Sequence, residues 1–156
     1  MTHSDTHCPP NLGRETVWDH RFLDMAQLIA SWSKDPSTKV GAVIVDDKNR
    51  VVSVGYNGFP AGMIDNPQTL SNRELKYAFT VHAEINAILF AQRDLSKCTL
   101  YVTHIPCSNC AAKVIQSGIT RVVTFNPDED FLTRWKDSVQ LTEMAFRETG
   151  ITLVKY

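Results

Sequence analysis

Apolar positions along the chain follow two rhythms that alternate from end to end. Phe22, Met25, Ala26, Ile29 and Ala30 recur at helical spacing, which predicts an amphipathic helix over Val17–Ser33, ended by Pro36. Val40–Val45 and Val51–Tyr56 are β-branched runs joined by Asp46-Asp47-Lys48-Asn49-Arg50, which predicts a hairpin. A long loop is expected from Asn57 to about Tyr77. Val81–Arg93 is apolar enough for a largely buried helix, and Thr99–Thr103 has the composition of a strand. Pro106 opens a third helix through Gln116, with Gly118 as its stop. A strand over Arg121–Phe125, a helix over Phe131–Thr149 and a last strand over Ile151–Val154 complete the pattern. Asp128, Glu129 and Asp130 fit the charge preference of that helix's N-terminus.

The order α-β-β-α-β-α-β-α-β predicts an α/β fold with helices on both faces of one mixed sheet. Its length of 156 residues suits one domain, over residues 15–156. Residues 1–14 are polar and rich in Pro, Ser, Thr and His, and are expected to be an irregular arm. Sixteen basic against seventeen acidic residues, 16 and 17, leave a net charge of −1, which argues against a nucleic-acid partner. No apolar run is long enough to span a bilayer, so no membrane partner is expected. No secretory signal is apparent, and the cytoplasm is the expected compartment.

Cysteine usage changes the picture. Cys107 and Cys110 form a C-x-x-C pair, while Cys8 and Cys98 lie far from them and from each other. In such a chain the pattern favours metal or redox chemistry over disulfides. His82-Ala83-Glu84 precedes Pro106-Cys107-Ser108-Asn109-Cys110 with 21 residues between Glu84 and Pro106. Together they match H-x-E…P-C-x-x-C, the pattern of zinc nucleobase deaminases. Two cysteines three apart in a first helical turn turn their sulfurs the same way, and the helix dipole favours thiolate. With His82 they supply three zinc ligands and leave a fourth tetrahedral position open, where zinc lowers the pKa of water to about 7. Glu84 cannot share His82's direction and is placed to move protons. Ala83, at a helix start, offers a free N–H for the pyrimidine O2.

Each element also has a plainer reading. A lone C-x-x-C is often a redox pair or half of a structural zinc site, a lone helical His is usually surface or core, and a Glu in a first turn often just compensates the dipole. A structural site would need a fourth protein ligand, for which Cys8, Cys98, His3, His7, His20 and His104 are the candidates. Two alternatives therefore stand beside the catalytic reading. One is a deaminase of another cytosine nucleoside or nucleotide, or of a modified dCMP. The other is a non-catalytic structural zinc module.

Ser33–Val45, Gly55–Gly62, Val81–Arg93 and Tyr101–Ile119 resemble the cytidine and deoxycytidylate deaminase family, most of all its dCMP-deaminating branch. The resemblance covers about residues 17–125. It implies a three-layer α/β/α, cytidine-deaminase-like fold around a five-stranded mixed sheet. It implies conversion of dCMP and water to dUMP and ammonia, supplying dUMP for thymidylate synthesis. On the matching positions, Asn57 contacts the sugar, and Gly55, Tyr56 and Gly58 belong to a segment associated with a dCTP effector. Phe90 and Arg93 match positions tied to effector response at subunit contacts. A homohexamer, activation by dCTP, inhibition by dTTP, and Mg²⁺ accompanying the triphosphate follow from the same likeness. Some relatives carry a second zinc in the long loop, but Met63–Tyr77 contains no Cys or His, so one Zn²⁺ per chain is expected. Lys34, Lys39 and Arg93 are the basic residues nearest the inferred pocket; they read as phosphate contacts or, for Lys34 and Lys39, at least as well as solvated loop charges. Phe131 or Trp135 would have to stack on the base, although Trp18, Trp32 and Trp135 otherwise read as core or interface.

Overall fold

The computed structural model describes residues 14–156. The expected arm lies outside the described residues save Arg14, and with it His3, His7 and Cys8. Eleven elements follow: α1 (Arg14–Ala30), β1 (Gly41–Val45), β2 (Val51–Tyr56), α2 (Pro67–Ser71), α3 (Arg73–Phe79), α4 (Ala83–Ala91), β3 (Thr99–Val102), α5 (Ser108–Gln116), β4 (Arg121–Thr124), α6 (Glu129–Thr149) and β5 (Thr152–Lys155). The strands form one sheet in the order β2-β1-β3-β4-β5. β1 runs antiparallel to β2 and β3, while β3, β4 and β5 are parallel. The expected five-stranded mixed sheet is present, with its hairpin at one edge.

Period-two alternation builds the layers. Ala42 and Ile44 pack with Ala83, Ala87, Leu100 and Phe146 on the face covered by α4, α5 and α6. Val43 and Val45, one residue out of phase, pack with Phe22, Leu23 and Ala26 of α1 on the other face. Every residue of β1 is buried because both faces are covered. Close approach is built in on each side. A Cβ on Gly41 would strike the Ala26 carbonyl and Ala30 of α1, and one on Gly55 would strike the Ala83 carbonyl and Ala87 of α4.

The helix ends follow local chemistry. Gly118 (φ 91°) and Gly150 (φ 78°) take the left-handed conformation after α5 and α6. Asp128 caps α6, accepting from the Phe131 N–H at 2.7 Å. This moves the start of the last helix to Glu129, two residues before its expected start, with Glu129 and Asp130 in the first turn as their charge requires.

The long loop is the main correction. It contains α2 and α3, capped by Asn66, which accepts from the Thr69 N–H at 2.9 Å, and Asn72, which accepts from the Leu75 N–H at 3.1 Å. Asn before Pro67 is a strong helix start in sequence terms. Helical periodicity did not announce either helix, because α3 buries no side chain and α2 buries only Leu70.

Candidate active site

His82 is the N-cap of α4, and its side chain makes no capping bond. The ring is therefore free to turn toward α5. The chain just before it is fixed to β2: Gly58 N–H donates to the Val81 carbonyl at 3.1 Å and Val81 N–H to the Gly58 carbonyl at 2.8 Å. Cys107 is the N-cap of α5, one residue before the helix rather than inside its first turn, and its sulfur accepts from the Cys110 N–H at 3.4 Å. Helix α6 holds this loop from behind. The Thr142 hydroxyl donates to the Pro106 carbonyl at 2.8 Å, and the Ser108 N–H to the Ser138 hydroxyl at 3.0 Å.

These anchors bring the three expected ligands together. Cys107 Sγ lies 3.6 Å and Cys110 Sγ 3.2 Å from His82 Nδ1, and all three donor atoms fall within 4.8 Å of one another. Tetrahedral zinc with ordinary Zn–S and Zn–N bonds separates its ligands by roughly 3.6–3.8 Å. The donor set, two sulfurs and one imidazole nitrogen, is also one that zinc favours. The residues present fit the metal. The Cys107 thiol is drawn down to about 4, first by the Cys110 S–H beside it and then by His82, and the imidazole is raised in turn by Cys107. None of the spare candidates among the described residues joins the cluster. His104 instead meets the Thr103 hydroxyl at 3.2 Å and the Phe131 ring at 5.6 Å.

Glu84 is 4% exposed, in the first turn of α4 and two residues from His82. Burial pushes its carboxyl up to about 7 against the pull of His82. Ala83 is fully buried, and its N–H has no acceptor among the described residues. Both border a cavity of about 840 Å³, together with His82, Cys107 and Asn57. The Asn57 side chain is tightly placed: its Oδ1 accepts from the Val40 N–H at 2.8 Å and its Nδ2 donates to the Thr38 carbonyl at 2.9 Å. One amide hydrogen and one lone pair remain.

The remaining expected residues divide. Phe131 and Trp135 both border the cavity, so Trp135, 48% exposed, is a wall residue rather than core. Gly55, Tyr56, Gly58, Phe90 and Arg93 lie outside it. Tyr56 sits beside Trp32, and its carbonyl accepts from Asn86 Nδ2 of α4 at 2.8 Å. Leu89 and Phe90 are 62% and 67% exposed at the far end of α4. The expected basic residues do not reach the cavity. Lys34 turns outward to Asp65 at 3.0 Å, and Lys39 is exposed. The cations that do border it are Arg73 and Lys76 of α3 and Arg134 of α6. Sequence reasoning missed them because two lie in the supposed loop; the Asn66-Pro67 start was the signal available.

Comparison with known proteins agrees with this geometry. Residues 16–126 match the cytidine and deoxycytidylate deaminase zinc-binding region. The chain is 54% identical over 134 residues to an uncharacterised deaminase of the luxG 3′ region of Aliivibrio fischeri, covering 86% of this chain and 90% of that one. It is 38% identical over 147 residues to the deoxycytidylate deaminase of Mus musculus, covering 89% and 79%. The dCMP deaminase of cyanophage S-TIM5, solved with dCMP and dUMP, shares the fold with a TM-score of 0.70 at 23% identity, over 94% of this chain and all, 100%, of that one. With the family region matched over residues 16–126, deoxycytidylate deaminase relatives over most of the length, and a three-donor cluster suited to zinc, this chain belongs to the cytidine and deoxycytidylate deaminase family and is a zinc-dependent deaminase.

Proposed function

We propose that the enzyme converts dCMP and water to dUMP and ammonia, and so supplies dUMP for thymidylate synthesis. The observation that carries this reading is the buried Glu84 beside the His82–Cys107–Cys110 cluster, in a cavity that also presents Arg73, Lys76 and Arg134. A nucleoside monophosphate has a place for each feature, whereas a free nucleoside would leave Arg73 and Arg134 without an anionic partner. The near relatives named as deoxycytidylate deaminases support the same substrate.

His82, Cys107 and Cys110 would hold one zinc ion per chain, and such an ion would bring the pKa of a bound water near neutrality. Glu84 would take one proton from the attacking water and pass it to N3 as oxygen adds at C4, then take the remaining hydroxyl proton and pass it to the amine as the C4–N bond breaks, leaving a C4 carbonyl and ammonia. A carboxyl lifted by burial suits both directions of transfer. The Ala83 N–H holds the pyrimidine O2. Asn57 holds a sugar hydroxyl with the hydrogen-bonding capacity that Val40 and Thr38 leave. Phe131 and Trp135, which border the cavity, would lie against the base.

Regulation is the finer part of the reading. The matching segment Gly55, Tyr56 and Gly58, with Phe90 and Arg93, would bind dCTP as activator and dTTP as inhibitor, Mg²⁺ accompanying the triphosphate, in a homohexamer. Exposed Leu89 and Phe90 on α4 suit a subunit contact. Unbridged Cys98, Cys107 and Cys110 suit the cytoplasm, and no helix of the described residues is long and apolar enough to cross a membrane.

The test is an ultraviolet assay of cytosine loss on the zinc-loaded enzyme with dCMP, dC, CMP and dCTP. A kcat/KM for dCMP at least tenfold above that for dC is expected; equal values would defeat the substrate assignment. Assays with added dCTP and dTTP test regulation, and a flat response to both defeats that part alone.

A further inference from the structure

Helices α2 and α3 form one wall of the cavity, yet among the described residues they pack against each other and against no other helix or strand. Leu70 is their single buried side chain. Beyond that, the Gly58–Val81 bridge secures the exit of the segment, and two ion pairs tie it to the loop after α1. Lys34–Asp65 is largely exposed, at 67% and 46%, and such pairs hold little. Lys76–Asp35, at 3.0 Å, is shielded, at 22% and 9%. Its carboxylate is fixed further by the Ser37 and Thr38 N–H groups at 2.8 and 3.1 Å. Few buried contacts and one shielded tether put this segment among the parts of a fold that open first.

The charges on α3 are not equivalent. Asp35 already neutralises Lys76. Arg73, one turn earlier and bordering the same cavity, has no carboxylate partner among the described residues. Its guanidinium lies 5.3 Å from the Tyr77 ring centroid and donates to the Tyr77 hydroxyl at 3.0 Å. That contact orients the planar fork and leaves further N–H groups, the geometry suited to a bidentate phosphate contact.

We propose that α2–α3 is a lid over the cavity and that Arg73 is its specificity-determining residue, closing the lid by taking the 5′-phosphate of the substrate. This rests on the nucleotide reading above. Lid closure on a remote group of the substrate lets phosphate binding act on the chemical step rather than on affinity alone.

Two measurements on the full-length, zinc-loaded enzyme test it. The first is kcat/KM for dCMP and for dC in wild type, Arg73→Gln and Arg73→Lys. The ratio of the two values should fall at least tenfold in Arg73→Gln and recover in part in Arg73→Lys. The second is amide hydrogen exchange over residues 67–79 in the Glu84→Gln background, where substrate stays intact. Saturating dCMP should slow exchange there, dC should not, and Arg73→Gln should remove the slowing. A wild type that prefers dCMP and keeps that preference in Arg73→Gln overturns the role of Arg73. Equal slowing by dC overturns the lid's response to phosphate. A wild type without preference for dCMP defeats the nucleotide reading itself, and the inference falls with it.

Discussion

Gly58 and Val81 exchange both of their backbone hydrogen bonds, at 3.1 and 2.8 Å, across an isolated antiparallel bridge. The bridge ties the residue just before a metal ligand to the end of the hairpin, so the position of His82 is set by β2 as well as by α4. Val81→Pro removes one donor. Its expected effect is a loss of zinc affinity of about tenfold or more, the scale seen when groups that orient metal ligands are removed. Competition against a chromogenic chelator measures it, and an unchanged affinity would show that α4 alone places the imidazole.

Replacing Cys107 or Cys110 with Ala should cost both metal and stability, since zinc binding here contributes to folding. Elemental analysis should fall from about one zinc per chain toward zero. The thermal midpoint should drop by about 5 °C or more, corresponding to a loss of a few kcal/mol. Two tightly bound zincs in the wild type would contradict the ligand inventory.

Glu84→Gln should keep fold and zinc while lowering kcat by about 10²-fold or more, the contribution of a positioned proton carrier. Matching circular dichroism and zinc content beside the lost turnover make the case. Activity within tenfold of wild type would remove Glu84 from the proton path.

Glycines 55 and 58 belong to the same candidate effector segment but differ physically. A Cβ on Gly55 enters α4, whereas one on Gly58 meets nothing within 4 Å. Gly55→Ala should destabilise by ~1–3 kcal/mol through overpacking. Gly58→Ala should stay within ~0.5 kcal/mol. Denaturant melts distinguish the two. With stability unaffected, Gly58→Ala is the better probe of effector response.

Acid should act through Asp19. The carboxylate is fully buried and accepts from Arg121 at 2.8 and 2.6 Å and from Tyr101 and Tyr156 at 2.8 Å each. Burial raises its pKa, but those hydrogen bonds and the Arg121 charge outweigh it, and the net value lies below the usual carboxylate range. The folded state therefore keeps the carboxylate to lower pH than the unfolded chain does. The resulting stability is fully present above the ordinary Asp value of about 4 and is lost as pH falls through the lowered one. Asp19→Asn should be less stable at pH 7, by ~3–5 kcal/mol for a broken buried pair. Its melting temperature should also fall less as pH is taken down through about 4, where the wild type begins to lose this contribution. Parallel acid profiles would refute the assignment.

How much was legible in the sequence depended on whether burial or proximity carried the information. The central strands were visible because both sheet faces are covered there, leaving dense apolar runs such as Gly41–Val45. The metal ligands were visible because their spacing is fixed by two helix starts. The basic wall was not. Lys34 is near the site along the chain but faces Asp65, and Arg73 reaches the cavity only because α3 folds back over it. Trp135 read from the sequence both as a candidate to stack on the base and as core or interface, and it is not core. Its position on α6 is helical and apolar, but the helix face it occupies looks onto the cavity instead of the core.

The isolation of α2 and α3 from the sheet bears on divergence and engineering. A segment joined to the scaffold by its ends and a few side-chain ties behaves as a cassette. Because α2 and α3 contact no other helix or strand among the described residues, changes of length or sequence within 63–80 should leave the packing that places His82, Glu84, Cys107 and Cys110 largely intact. Descendants of one reactive centre can thus acquire different substrate ranges by replacing a single contiguous stretch of chain, and grafting that stretch between relatives is a direct route to redirecting the enzyme.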